Sequence, residues 1–188
     1  NGTDLVKAYE TYVLSNNVEN LTLKGSKDIT GTGNNSANTI KGNNNENELY
    51  GKGGKDILTG QKGNDILLGG DGNDKLYGNG GKDVITGQDG NDKLWGGSGN
   101  DRLTGGVGND ILVGGSGDDI FQINTGIGRD VIKDFTDGED QIELSTGSSD
   151  VNLIQSGDHV KVKYDGDLMA VIQNVSTDDL TQDGAFLI

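Results

Sequence analysis

The chain has 188 residues, 34 of them Gly, no Pro, no Cys and a formal net charge of −15. Without Pro or a three-residue period it is not collagen, without Cys it has no disulfide, thiolate zinc site or cysteine nucleophile, and no apolar run approaches the ~18–20 residues of a membrane span. Nucleic acid and anionic membrane surfaces want clustered cations, which are missing here; Asp, Asn and Gly leave either turns with oxygen-rich sites for hard cations or disorder.

In chain order, the opening NGTDLVKAYE has no initiator Met and no basic region followed by an apolar one. No secretory signal peptide is visible, and the chain reads as a piece of a longer protein. Leu5, Val6, Val13, Leu14, Val18, Leu21, Leu23 and Ile29 are spaced along 1–32 without a fixed period. Irregular strands are expected there, in the capping role that atypical ends play in repeat architectures.

From Gly33 to Gln122 the chain is ten nonads without insertion, beginning at Gly33, Gly42, Gly51, Gly60, Gly69, Gly78, Gly87, Gly96, Gly105 and Gly114. Position four is Gly in eight of them. Position six is Asp in eight (Asp56, Asp65, Asp74, Asp83, Asp92, Asp101, Asp110 and Asp119) and Asn38 and Asn47 in the first two. Position eight is always apolar: Ile40, Leu49, Leu58, Leu67, Leu76, Ile85, Leu94, Leu103, Leu112 and Phe121. Disorder holds no such phase, so that reading is set aside for 33–122.

Gly supplies backbone angles that a Cβ forbids and lets neighbouring turns approach closely. Six residues of turn are expected, followed by three that extend, as in Lys93-Leu94-Trp95, with position eight inward and positions seven and nine outward. One apolar residue in nine makes no core alone, so stacking must supply it. The expected fold is all-β: a parallel β-roll, a β-solenoid of 18-residue coils in which odd and even nonads form two parallel sheets.

Such stacking lines up Asp56, Asp74, Asp92 and Asp110 on one edge and Asp65, Asp83, Asp101 and Asp119 on the other. Carboxylates one strand spacing apart, ~4.8 Å, repel unless a cation lies between them. Calcium takes six to eight oxygens, so turn carbonyls must add to the two carboxylates. The alternative for position six is an Asp that caps its own turn without metal. For Asp71, Asp89 and Asp118, off that position, a solvated side chain is the better reading.

GGSGNDRLT (96–104) and GGVGNDILV (105–113) resemble the nonapeptide of RTX (repeats-in-toxin) proteins, GGxGxDxUx with U apolar, and eight consecutive nonads over 51–122 follow it. NVENLTLKG (17–25) is similar to a lead-in of such repeats, and GRDVIKDFTDGEDQIELS (128–145) to the module that commonly closes the roll. The resemblance implies a hemolysin-type, calcium-loaded β-roll in a secreted bacterial protein. It also implies a ligand set for each site. The earlier loop gives its second and fourth carbonyls and its Asp; the later loop gives its first and third carbonyls and its Asp.

Carried over, the carbonyls of Lys52 and Gly54 with Gly69 and Asp71 serve Asp56 and Asp74. Those of Gly70 and Gly72 with Gly87 and Asp89 serve Asp74 and Asp92, and those of Gln88 and Gly90 with Gly105 and Val107 serve Asp92 and Asp110. On the other edge Gln61 and Gly63 with Gly78 and Gly80 serve Asp65 and Asp83. Asn79 and Gly81 with Gly96 and Ser98 serve Asp83 and Asp101; Gly97 and Gly99 with Gly114 and Ser116 serve Asp101 and Asp119. Where Asn38 faces Asp56 and Asn47 faces Asp65, a neutral amide replaces a carboxylate, and weaker binding or none is expected. Asp130 in GRDVI repeats the spacing and would face Asp110 in a further site. About six or seven Ca²⁺ would nearly cancel the charge of −15.

A thin core and repelling edges couple calcium binding to folding. Extracellular modules bind calcium at ~10⁻⁴–10⁻³ M, so the roll is expected to be unfolded in the cytosol and to fold after export. Residues 123–188 are expected to form an antiparallel C-terminal cap. Val160, Val162 and Tyr164 alternate, Asp165-Gly166 is a two-residue turn signal, and Leu168, Ala170 and Ile172 alternate back. The closing DLTQDGAFLI resembles the C-terminal end of type I secretion substrates; its apolar tail, Ala185 to Ile188, reads equally as a terminal strand. The expected setting is extracellular or on a bacterial cell surface, by way of the type I machinery.

On the outer face of the odd sheet, Lys75, Tyr77, Lys93 and Trp95 form a lysine row beside an aromatic row. They are candidates for an acidic polysaccharide such as alginate, with a covered or half-exposed cross-strand pair as the alternative. His159, the chain's single His, sits beside Val160 and reads as a satisfied or solvated side chain. No GxSxG, HExxH or phosphate loop occurs, so the module is expected to be non-catalytic, whatever its parent does. Three roles are left: a monomeric calcium roll that folds an exported protein, a polysaccharide-binding module of a carbohydrate-active enzyme such as a mannuronan epimerase, or the end of a calcium-dependent adhesin.

Overall fold

Positions two and four of every nonad from 51 onward take positive φ, from Lys52 and Gly54 to Gly115 and Gly117. That region favours Gly, so the chain bends just before each Asp and extends over the next six residues. The computed structural model describes residues 3–124, 128–136, 138–144, 151–164, 167–178 and 186–187. In chain order its strands begin with β1 (Leu5–Ala8), β2 (Tyr12–Val13), β3 (Asn20–Leu23), β4 (Ile29–Thr32), β5 (Thr39–Lys41), β6 (Asn47–Gly53) and β7 (Ile57–Lys62). Next come β8 (Ile66–Asp71), β9 (Lys75–Gly80), β10 (Val84–Asp89), β11 (Lys93–Ser98), β12 (Arg102–Val107), β13 (Ile111–Ser116) and β14 (Ile120–Ile123). The last are β15 (Asp130–Ile132), β16 (Gln141–Leu144), β17 (Val151–Ser156), β18 (His159–Tyr164), β19 (Asp167–Gln173) and β20 (Phe186–Leu187).

Odd and even strands separate. Eleven described strands form one sheet in the order β1-β3-β5-β7-β9-β11-β13-β15-β19-β18-β17, and nine form the other, β2-β4-β6-β8-β10-β12-β14-β16-β20. Rungs pair in parallel, with Leu58 beside Leu76, Leu76 beside Leu94 and Leu94 beside Leu112. Together with Leu49, Leu67, Ile85, Leu103 and Phe121 across the core, these side chains are 0–1% exposed. The architecture is therefore the expected all-β parallel roll of two facing sheets. From β7 to β13 the extended part is longer than expected, six residues, as in Lys93–Ser98, rather than three, while β5 keeps three. Positions two and three also pair with the adjacent rung, Gly97 with Asn79 and Ser98 with Gly80.

Both ends extend the roll. The first residues are rungs of the same sheets, Val6 beside Leu21 and Tyr12 beside Gly31. The apolar phase fails there because Gly31 occupies the rung next to Leu49, and Leu21, Leu23 and Ile40 fill the space, 3.1–3.3 Å from where a Gly31 Cβ would stand. Beyond Gln122 the parallel rungs continue through Ile132 beside Leu112 and Ile142 beside Phe121. Among the described residues, only the pairs β17–β18 and β18–β19 are antiparallel. Tyr164 pairs with Asp167 at the closing end; the Asp165-Gly166 turn itself lies outside the described residues. Phe186 and Leu187 pair with Ile142 and Glu143 as the last parallel rung, while Ala185 and Ile188 lie outside the described residues.

Candidate metal centres

Each position-six Asp sits at the bend, where its carboxylate has two different oxygens. Oδ1 accepts the backbone amide of the residue 18 positions earlier: Asp56 from Asn38 at 2.7 Å, Asp74 from Asp56 at 2.8 Å, Asp92 from Asp74 at 2.7 Å and Asp110 from Asp92 at 2.7 Å. The other edge repeats this from Asp65 to Asp119, at 2.7–2.8 Å. Oδ2 of all eight Asp is buried without a hydrogen-bond partner, and the residues are 0–1% exposed. Eight orphaned buried carboxylate oxygens would be costly in a protein that had nothing to place beside them.

The glycines show what surrounds those oxygens. A Cβ at Gly51 would lie 2.3 Å from Asp56 Oδ2 and 2.3 Å from the Gly69 carbonyl oxygen of the next coil. The earlier Asp and the later loop's first carbonyl therefore share one hollow. A Cβ at Gly72 would lie 1.5 Å from the Gly54 carbonyl oxygen, and one at Gly70 would lie 1.9 Å from that of Lys52. The second and fourth carbonyls thus point at the next loop, as the carried-over ligand set requires. The same fourth-position approach recurs from Gly90 on Gly72 (1.5 Å) to Gly117 on Gly99 (2.3 Å). Oxygen donors from two carboxylates and backbone carbonyls suit calcium. Among the described residues no three His, Cys, Asp or Glu side chains converge, so carbonyls must carry most of any coordination.

Burial is the first cause of the shifted carboxyls. It pushes Asp56, Asp65, Asp92 and Asp101 from the usual 3.8 up to about 7, against the lowering effect of the amide each accepts; neighbouring carboxylates push the same way as burial. Asp83 and Asp119 reach about 6, and Asp74 and Asp110 are raised for the same first reason. Burial thus makes the charged form of every one of these carboxyls costlier than in water, a cost that a neighbouring cation offsets.

The first two nonads are built differently. Asn34, Ser36, Asn43 and Asn45 lack the positive φ of positions two and four elsewhere. A Cβ at Gly54 would meet the Ser36 carbonyl carbon at 2.6 Å before its oxygen at 2.9 Å, so this carbonyl does not point into the interval. Asn38 Oδ1 accepts the Asn34 amide at 2.7 Å while Nδ2 donates to Val18 O at 3.1 Å. Asn47 accepts from Asn43 at 2.8 Å and donates to Ile29 O at 3.1 Å. Asn34 Nδ2 donates to Ser15 O and Val18 O, and Asn43 Nδ2 to Lys27 O. Amide donors here do the work left to a cation further along.

At the far end, Asp130 is 5% exposed and accepts the Asp110 amide at 3.2 Å. Gly128 repeats the close approach, 1.7 Å from its Cβ position to Gly108 O. Sequence reasoning missed Asp140, which ends the other column. It takes the Asp119 amide at 2.9 Å through Oδ1 and the Thr136 amide at 2.8 Å through Oδ2. It is 21 residues from Asp119 rather than 18, which hid it from the repeat. The position-five asparagines were missed too: Asn73 Oδ1 accepts the Asn91 amide and Asn91 Oδ1 that of Asn109, both at 2.8 Å.

Tyr77 and Trp95 stack in parallel, with centroids 4.6 Å apart and planes 6° apart. Each ring covers a face of the other across adjacent rungs, which is the cross-strand alternative. Lys75 and Lys93 are exposed on the same two rungs. His159 Nδ1 accepts the Asn174 amide at 3.2 Å, a satisfied side chain at a strand start.

Against known families, the model of the RTX calcium-binding nonapeptide repeat (4 copies) matches residues 32–67, 59–94 and 86–121. No curated protein matches the chain. Among solved structures, the crystal structure of extracellular lipase LipA from Serratia marcescens is similar over 98% of this chain and 42% of that one, at 17% identity and a TM-score of 0.46. The chain thus spans under half the length of that lipase.

Proposed function

Residues 32–121 are a run of RTX calcium-binding nonapeptide repeats, and we propose that the module is a calcium-gated fold serving the export and folding of its parent protein. Asp56, Asp74, Asp92 and Asp110, with Asp65, Asp83, Asp101 and Asp119, are the carboxylate ligands; second and fourth carbonyls of one loop and first and third of the next complete six sites. A seventh lies between Asp110 and Asp130. Calcium supplies the positive charge that two columns of buried carboxylates need. The intervals that Asn38 and Asn47 open are metal-free.

The observation that carries this reading is the row of eight buried, unpartnered Oδ2 atoms. Without a cation the folded columns hold uncompensated charge, so at low calcium the unfolded chain wins. Affinity at ~10⁻⁴–10⁻³ M, usual for extracellular modules, would keep the chain unfolded inside a bacterium and fold it outside, which suits passage through a type I exporter. Far-UV circular dichroism is the test: a β spectrum with millimolar calcium and an unfolded one in chelator are expected. A β spectrum that survives chelator at neutral pH would sink the proposal.

A further inference from the structure

The glycines of the roll are of two kinds. From Gly51 to Gly117 a Cβ would stand 1.5–2.6 Å from its nearest neighbour at every glycine except Gly53 and Gly80. Gly80 stands at position three, where other nonads carry Asn, Lys, Asp, Ser or Val. A Cβ there would meet the Ser98 Oγ at 3.3 Å, the end of a side chain, and the Gln61 carbonyl oxygen at 3.8 Å. Gly80 holds no positive φ either, so neither space nor backbone angle requires glycine at this position. Its distinction is the residue before it. Asn79-Gly80 is the one Asn-Gly step among the described residues, whereas Asn64, Asn73, Asn91, Asn100 and Asn109 are each followed by Asp. Asn79 is exposed and holds φ +76.

We propose that Asn79-Gly80 is a site of spontaneous deamidation and isoaspartate formation, and that folding of the rung around it closes the site. In an unfolded chain nothing shields the Gly80 nitrogen from the Asn79 side chain. The Gly80 nitrogen attacks Asn79 Cγ; the N–Cγ bond forms, the Cγ–Nδ2 bond breaks, and ammonia leaves with the Gly80 amide proton. Water then opens the cyclic imide, at Cγ to give aspartate or at the main-chain carbonyl to give isoaspartate. In the roll Asn79 and Gly80 pair with Gln61 and Lys62 on one side and with Gly97 and Ser98 on the other. Gly81 N donates to Ser98 O at 2.9 Å, Ser98 Oγ to Asn79 O at 3.2 Å and Asn79 Nδ2 to Tyr77 O at 3.4 Å. Swinging the Gly80 nitrogen onto Cγ turns the peptide plane out of this ladder, so the reaction waits for local opening. Its product damages the metal column. Asn79 O lies 2.2 Å from where a Gly97 Cβ would stand, the approach made by a second-position carbonyl. Isoaspartate adds a backbone atom and turns that carbonyl into a pendant carboxylate. The interval between Asp83 and Asp101 then loses a backbone donor, and a chain held too long without calcium loses a rung.

The link to calcium rests on the calcium-gated folding proposed above, so fold and chemistry are read separately. The full chain is aged in mildly alkaline buffer with saturating calcium, with chelator, and with chelator plus urea. Peptide mass spectrometry follows the loss of Asn79 and the isoaspartate formed, while dichroism reports the roll. Asn79 is expected to disappear at least tenfold faster in chelator and in urea than in calcium, and faster there than any Asn followed by Asp. Gly80→Ala should slow both fast rates at least tenfold and keep the wild-type calcium midpoint, since the roll has room for its Cβ. The isoaspartate fraction, separated by ion exchange, should need more calcium than the unaged chain to regain the β spectrum. A chelated chain that keeps both its β spectrum and its Asn79 would fault the calcium gate, whereas the urea arm decides the site itself. Equal loss in calcium and in urea, undiminished loss in Gly80→Ala, or an isoaspartate fraction that folds at the wild-type calcium midpoint would overturn the inference.

Discussion

Asp92→Asn is the sharpest perturbation of the metal columns. Asp92 borders two intervals, one with Asp74 and one with Asp110, whereas Asp56 borders a single interval with full carboxylate character because its other neighbour is Asn38. The substitution keeps an oxygen to accept the Asp74 amide. Its new N–H₂ falls near the Gly105 carbonyl, which with Oδ2 surrounds the Gly87 Cβ position at 2.5 and 2.2 Å. Shape and hydrogen bonding survive while two intervals each lose a charge. With calcium a hundredfold above Kd, each lost site removes ~2.7 kcal/mol, so Asp92→Asn costs about 5 kcal/mol and Asp56→Asn about half. Against a total stability of ~5–15 kcal/mol, the first brings the roll near unfolding. Calorimetric ion counts and calcium titrations by dichroism should show two ions lost and a raised calcium midpoint for Asp92→Asn, and one ion lost for Asp56→Asn. Equal effects of the two variants, or a wild-type ion count in Asp92→Asn, would refute the reasoning.

Proton competition follows from the same columns. Folded values of about 6–7 stand above the ordinary 3.8, so the folded chain binds more protons than the unfolded one. That contribution is fully present below about 4, the unfolded value, and is lost as pH rises through 6–7. In chelator, lowering pH from 7.5 to 4 should therefore increase the β signal, and the calcium midpoint should rise as pH falls; a flat response in both would contradict it. Backbone strain offers a second check. Gln61 holds φ +98, where a side chain costs ~1–2 kcal/mol, so Gln61→Gly should raise the urea midpoint at saturating calcium by a net gain of about 0.5–1 kcal/mol after the extra chain entropy of Gly. Gly72→Ala, whose Cβ would stand 1.5 Å from the Gly54 carbonyl oxygen, should abolish the calcium-induced β signal.

The nonad phase by itself determined the two parallel sheets, the apolar columns and the placing of eight Asp at two edges. A strict repeat leaves little freedom: 18 residues return the chain to the same edge, and every rung then meets its own pattern. Asn38 and Asn47 were legible as weak points, because an amide brings no charge. Other features required the fold, since they depend on contacts between segments that share no phase. Amides of Asn34, Asn38, Asn43 and Asn47 reach carbonyls at Ser15, Val18, Lys27 and Ile29, in a stretch with no nine-residue period. Asp130 and Asp140 join the columns after spacings of 20 and 21 residues, because strands β15 and β16 re-enter the ladder and the loops before them absorb the extra length. Lys75 and Tyr77 were visible as a possible surface. Only stacking decided between that surface and the cross-strand alternative, by laying Trp95 over the Tyr77 ring. Periodicity says which residues recur; tertiary contact decides which of their donors and charges are left unmet.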